Sequence, residues 1–162
     1  MASRGSAGWV LVVAGVLLAG VAVFLLVRPD ALEPWSPDDS DPQAYAAELV
    51  AETNAAREAE DLEPLAVSEC ATDQAADRAT ALEGGKDLEH ASLTPVIEAC
   101  APASSAAENL SRAGATAHDV VEAWLGSPGH RANLLDPELE QLGIGCLLDD
   151  EQMLCSQVFL GP

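Results

Sequence analysis

Hydrophobic and polar positions divide the chain into three parts: an unbroken apolar block, a short charged interval, and a long patterned stretch. The block runs from Gly8 to Val27 without one charged residue. About 20 apolar residues rising about 1.5 Å each cross a hydrocarbon core about 30 Å thick. A cleaved signal peptide has a shorter apolar core and small residues at its cleavage site. Here Val23 to Arg28 is bulky where that site would fall. The block is therefore predicted to be an uncleaved transmembrane anchor over 8–27, with residues 1–7 as a short cytoplasmic tail. Prolines 29, 34 and 37, set among acidic residues, make 28–41 a stiff charged linker. The folded domain is predicted to occupy 42–162.

Within that domain the apolar spacing is first helical. Asp41-Pro42 opens a helix, with Asp41 as cap and Pro42 at the first position, ending near Glu60. Tyr45, Leu49 and Thr53 share one stripe, and Ala46, Val50 and Asn54 the next. Ser68 caps a second helix with Ala71, Ala75, Ala79 and Leu82 inward, stopped by Gly84-Gly85. Small residues at most inward positions require this helix to pack closely on its neighbour. Residues 86–105 lack periodicity and are predicted to be a long loop, a type that is often functional. Ala106 to Ala113 is too short to assign as strand or turn. Thr116 to Asp119 is a capping box opening a third helix, with Val120, Val121, Trp124 and Leu125 inward. His118, in its first turn, reads as a solvated surface histidine. Ser127-Pro128 starts a fourth helix, with Ser127 as cap, and Asp136-Pro137 breaks it.

The last two apolar runs, Leu142–Leu148 and Met153–Leu160, flank Asp149-Asp150-Glu151-Gln152 and read as a hairpin with a four-residue loop. Placing Leu148 opposite Met153 sets Cys146 against Cys155, Ile144 against Gln157, and Leu142 against Phe159. Opposed residues in a non-hydrogen-bonded pair are close enough for a cross-strand disulfide. Cys70 and Cys100 then pair by elimination. Both strand faces are largely apolar, so helices are expected on both sides of the sheet, a three-layer arrangement.

Charge and cysteine usage narrow the function. A formal net charge of −20 excludes nucleic acid as a partner, since seven Lys and Arg residues cannot neutralise a phosphate backbone. Four cysteines without a CxxC spacing fit two disulfides in an oxidising compartment. The domain is therefore expected outside the cytoplasm, as part of a single-pass cell-membrane protein.

Three polar segments remain: His90-Ala91-Ser92, Ala107-Glu108-Asn109-Leu110, and Ser127-Pro128-Gly129-His130-Arg131. Their order resembles the CAP superfamily (cysteine-rich secretory proteins, antigen 5, pathogenesis-related proteins), in its bacterial SCP-like branch. Asn54, Arg57 and Leu65, Trp124 ahead of the Ser-Pro-Gly-His run, and Gly143-Ile144-Gly145 with Gln157-Val158-Phe159 extend the match over roughly residues 44–160. The resemblance implies an α+β fold, a three-layer α-β-α sandwich with a central antiparallel sheet. It implies a cleft where His90, Glu108 and His130 converge, with Ser127 beside them. Two departures stand out. Ala107 replaces the glycine that usually precedes the glutamate, and the second glutamate of eukaryotic members falls near Ser127, which leaves that carboxylate absent.

Two neutral imidazoles and a carboxylate with one open position would suit Zn²⁺ held by His90, His130 and Glu108. The bland alternative is that Glu108 and His130 hydrogen-bond each other and only brace the loop. No catalytic residue is assigned: the cysteines are paired, and no Gly-x-Ser-x-Gly elbow occurs. Members of the family bind sterols, other lipids or divalent metals. The expectation is thus a non-catalytic cleft for a lipid, another envelope component or a divalent metal. A metal-assisted peptidase or other hydrolase is the alternative, and a structural or protein-interaction module of the envelope comes third.

Overall fold

The computed structural model describes Ser36 and residues 41–162. The predicted tail, anchor and all of the linker except Ser36 and Asp41 lie outside these residues. Among the described residues no helix is long and apolar enough to cross a membrane.

Among the described residues, five helices and four strands follow one another: α1 (Pro42–Ala59), β1 (Ala66–Val67), α2 (Glu69–Leu82), α3 (Thr94–Ala99), β2 (Ser105–Ala113), α4 (Ala117–Leu125), α5 (Pro128–Leu134), β3 (Gln141–Asp149) and β4 (Gln152–Gly161). The caps act where the sequence puts them for three helices. Asp41 accepts from the Gln43 amide, Ser68 from Ala71 and Thr116 from Asp119. Ser127 differs: its backbone occupies the cap position of α5, but its side chain makes no capping hydrogen bond.

The strands lie in the order β1-β3-β4-β2. β4 pairs antiparallel with both neighbours, whereas β1 pairs parallel with β3. The sheet is therefore mixed and not purely antiparallel: the two-residue β1, reached from α1 through residues 60–65, runs parallel to β3. The hairpin register is the expected one, with Leu148 opposite Met153 and Cys146 opposite Cys155. Its loop is shorter than expected, since Asp149 and Gln152 themselves pair and Asp150 makes the turn at φ 54°. The segment left unassigned becomes β2, in register with β4 from Ser105–Gly161 to Ala113–Met153. The supposed loop of 86–105 contains α3, opened by Thr94-Pro95, a start signal that its lack of periodicity masks.

Alternate residues of the strands serve opposite faces. Leu142, Ile144, Met153, Cys155 and Phe159 join Tyr45, Leu49, Val120, Val121, Trp124 and Leu134 in one core. Val158 and Leu160 join Ala71, Ala75, Val96 and Cys100 in a second. The second face is thin because Gly143 and Gly145 leave α2 nothing to stand on but backbone. A Cβ on Gly143 would lie 2.0 Å from the Thr72 amide nitrogen, and one on Gly145 2.3 Å from that of Ala76. Alanine on the helix and glycine on the strand thus set the spacing together. The Cys70–Cys100 disulfide, Cα–Cα 5.7 Å, ties the first turn of α2 to the end of α3. The Cys146–Cys155 disulfide crosses the hairpin at a Cα–Cα distance of 4.2 Å.

Candidate functional site

Glu108 sits in the middle of β2, opposite Val158, on the thin face of the sheet. Its side chain is only 2% exposed. A carboxylate there needs partners for both oxygens, because an unpaired buried charge is strongly destabilising. It has four. Arg78 on α2 donates through Nε to Oε1 and through Nη2 to Oε2 at 2.8 Å, the bidentate fork that suits a guanidinium. Ser156 Oγ donates to Oε1 at 2.8 Å from β4. His90 Nδ1 lies 2.7 Å from Oε2. Burial alone would push the Glu108 carboxyl up, but the bonds from Arg78, His90 and Ser156 outweigh it and hold the group below its ordinary value. The same fork holds the Arg78 guanidinium above its ordinary range.

Arg78 does more than neutralise. Its Nη2 also donates to Ala91 O at 3.0 Å and its Nη1 to Ser92 O at 3.3 Å. One side chain on a close-packed helix therefore grips both the sheet carboxylate and the segment that carries His90. With Glu108 ionised and acceptor-only, the 2.7 Å contact requires a proton on His90 Nδ1. In its neutral form the His90 ring then carries its lone pair on Nε2. The His90 side chain is 54% exposed, so this nitrogen is available to a ligand.

His130 comes from α5, and Asn109 and Asn133 hold that helix against β2. Asn133 Nδ2 donates to Asn109 Oδ1 at 2.9 Å and to Glu108 O at 3.1 Å; Asn109 Nδ2 donates to Gln157 Oε1 at 3.1 Å and to His130 O at 3.4 Å. Gln157 Nε2 donates onward to Thr53 Oγ1 at 2.9 Å. Thr53, Asn109 and Gln157 are fully buried, so every amide and hydroxyl here needs this chain of partners. Trp124 Nε1 takes a further β2 carbonyl, Leu110 O, at 3.0 Å. Side chains of α4 and α5 thereby cover an edge strand that would otherwise offer free carbonyls. The half-buried His130 ring is held below its ordinary value, first by burial and then by the nearby His90.

A cavity of about 420 Å³ opens beside this cluster, lined by Arg78, His90 and Glu108 together with Asp77, Leu82 and Glu89 among others. Of the four expected cleft residues, His90 and Glu108 line it and touch each other. His130 and Ser127 are not among its lining residues. The alternative of a Glu108–His130 brace is not what the structure has: Glu108 is braced by His90 and Arg78. Ala107 continues the β2 ladder opposite Phe159, so the missing glycine leaves the strand regular. His118 is exposed as expected and pairs with Glu52 Oε2 at 3.0 Å, a contact that raises its pKa.

Zn²⁺ would have to compete with this arrangement. Both Glu108 oxygens are already engaged, and a guanidinium occupies the side where a cation's charge would act. Among the described residues no group of three His, Cys, Asp or Glu side chains is placed to hold a metal ion. The donor set does not fit a three-ligand site.

The residues that sequence reasoning missed are Arg78, Ser156 and Asn133. Arg78 continues the inward stripe Ala71, Ala75, Leu82 at helical spacing, and a lone arginine among alanines is a usable signal. Ser156 is a polar interruption in the alternation Leu154, Val158, Leu160.

Comparison with known proteins follows the same lines. The description "Cysteine-rich secretory protein family", CAP, matches residues 50–159, more than half of the chain. The chain belongs to the CAP family. It is 28% identical over 124 residues to the YkwD protein of Bacillus subtilis (strain 168), covering 73% of this chain and 48% of that one. Among solved structures, an extracellular protein containing an SCP domain from Bacillus anthracis str. Ames is similar at TM-score 0.64 and 23% identity, over 80% of this chain and 45% of that one. An outer surface protein of Borrelia burgdorferi is similar at TM-score 0.66 and 20% identity, over 75% and 95% of the two chains. These likenesses establish the shared fold. The chain spans about half the length of the YkwD and Bacillus anthracis relatives.

Proposed function

We propose that the chain is a membrane-anchored, extracytoplasmic CAP domain whose cleft beside Glu108 binds a small ligand without transforming it. The observation that carries this reading is the saturation of Glu108: four hydrogen bonds leave neither oxygen free to take a proton from a substrate or to hold a metal. Its work is to fix His90 at the cavity wall. Two disulfides support an oxidising compartment, and the extracellular and outer-surface descriptions of the structural relatives agree with it. The apolar stretch at 8–27 supports anchoring. Between the ligand classes, an organic ligand such as a lipid or another envelope component is favoured over a divalent metal, which would have only the two imidazoles left.

The test is to purify the full chain and its His90→Ala variant from the host membrane, extract both, and compare the bound small molecules by mass spectrometry. A compound enriched on the native chain and lost from the variant supports the cleft. Identical extracts contradict it. A Zn²⁺ titration by calorimetry of the native chain, His90→Ala and His130→Ala separates the metal reading, since a metal cleft requires heats that differ among the three.

One observation favours a second reading, hydrolysis. A carboxylate on Nδ1 orients an imidazole with Nε2 free, which is the geometry of a general base. The nearby hydroxyl of Ser156 is fully buried and already donates to Glu108, so the nucleophile would have to be water. Turnover of a peptide or ester library that disappears in Glu108→Gln would establish this reading over the binding one.

A further inference from the structure

The cavity beside Glu108 is unbalanced in its hydrogen-bonding groups. Arg78 is the cation in its wall, and four of its five N–H groups are spent on Glu108, Ala91 O and Ser92 O. Glu108 gains a counter-charge from it and adds no net charge to the cleft. What remains toward the open space accepts hydrogen bonds. His90 offers Nε2, because Glu108 holds the proton on Nδ1. Asp77 and Glu89 line the same cavity and are exposed, each with an acceptor-only carboxylate. Leu82 and Ala81 supply apolar surface beside them. A ligand carboxylate or phosphate entering here would meet two uncompensated negative charges and almost no free donor. A protonated amine would meet a lone pair, two carboxylates and an apolar patch for its stem.

We propose that the cleft selects a positively charged hydrogen-bond donor, an organic ammonium or guanidinium on a short apolar stem, with His90 Nε2 as the acceptor that orients it. This rests on the ligand-binding reading and goes beyond it by fixing the sign and polarity of the ligand. The wider field acts in the same direction, since a chain with net charge −20 concentrates cations near its surface. The same group is available from a soluble amine or from the headgroup of an aminophospholipid.

The experiment uses the full chain in nanodiscs made only of phosphatidylglycerol. The chain has three histidines, so the imidazole C–H signals can be followed one by one by NMR. n-Butylammonium, n-butanol and n-butyrate are titrated in turn, and a parallel sample carries phosphatidylethanolamine in the disc. The expected result is a saturable shift of the His90 signals with butylammonium, at least about tenfold tighter than with butyrate, and no shift of His118. Asp77→Asn and Glu89→Gln should each weaken butylammonium by about two- to fivefold, as loss of an exposed charge pair does. A matching His90 shift in the phosphatidylethanolamine disc assigns the source to a lipid headgroup; a shift with the soluble amine alone assigns it to a soluble ligand. Butanol or butyrate binding as tightly as butylammonium overturns the charge selection while leaving a ligand cleft in place. His90 signals unmoved by all of these probes and by a total lipid extract of the host overturn both.

Discussion

The two faces of the sheet are built on opposite plans. Under α1, α4 and α5 the core is filled by large side chains, Tyr45, Leu49, Trp124, Leu134 and Phe159, all nearly or completely buried. Under α2 the space is filled by approach, with alanine laid on Gly143 and Gly145. The first plan tolerates relaxation, because a lost side chain leaves neighbours that can shift into the gap. The second does not, because backbone meets backbone. The polar cluster of the cleft lies on the rigid face. α2 is close enough to the sheet for Arg78 to reach Glu108 with its fork and still grip Ala91 and Ser92 with the remaining donors.

Substitutions can break this contrast. Phe159→Ala on the filled face is expected to cost about 3–5 kcal/mol, read by denaturant unfolding, with the His90 signals little changed. Gly145→Ala on the close face adds one methyl group, yet should cost about 3 kcal/mol or more, since the new Cβ would lie 2.3 Å from the Ala76 amide nitrogen. It should also displace Arg78 and so perturb His90. Equal sensitivity of His90 to both changes would remove the distinction between the faces. Removing the disulfides tests it at comparable amplitude. Chain entropy alone assigns about 3.6 kcal/mol to the 30-residue separation of Cys70–Cys100 and about 2.6 kcal/mol to the 9-residue separation of Cys146–Cys155. Double Ser variants should follow that order in urea midpoint, and only the first should loosen the segment leading to His90.

Titration sharpens the picture further. The Glu108 carboxyl is depressed in the fold, so it binds its proton less readily there than in the unfolded chain. Its stabilisation is fully present above the ordinary value of 4.5 and is lost as pH falls below that through the folded value. Thermal midpoints should drop below pH 4.5, and Glu108→Gln should flatten that limb. The His118–Glu52 pair has the opposite sign. The raised histidine pKa stabilises below its ordinary value of 6.5, and the effect fades as pH rises through the folded value. His118 is fully exposed to solvent screening, so His118→Gln should leave the melting curve almost unchanged.

Much of this architecture could be read from the chain, and what could not has local causes. The hairpin register followed from one pairing of Leu148 with Met153, because period-two alternation admits no half-step. The alanine stripe of α2 told of close packing before the partner glycines were placed. β2 could not be assigned, since Ser105 to Ala113 has only Leu110 as a large apolar residue and draws its stability from β4 and from side chains of α4 and α5. α3 is six residues long, too short for a period to show. In the cleft, Glu108 and His90 were visible as motif residues. Arg78 was legible only as an inward arginine on the alanine stripe; its pairing was not, because Glu108 lies 30 residues away across a helix–sheet interface. That missing guanidinium changes the chemistry, turning a three-ligand metal set into a neutralised pair with one oriented imidazole.

The central claim is that Glu108 is a saturated anchor that holds the proton of His90 on Nδ1. Long-range ¹⁵N–¹H NMR of the imidazole rings in the full chain reads this directly, above the histidine titration range. The expected result is a neutral His90 in the Nδ1–H tautomer in the native protein, shifting toward the Nε2–H form or a mixture in Glu108→Gln. A native His90 in the Nε2–H tautomer, or one indifferent to Glu108→Gln in a protein that remains folded, would contradict the account.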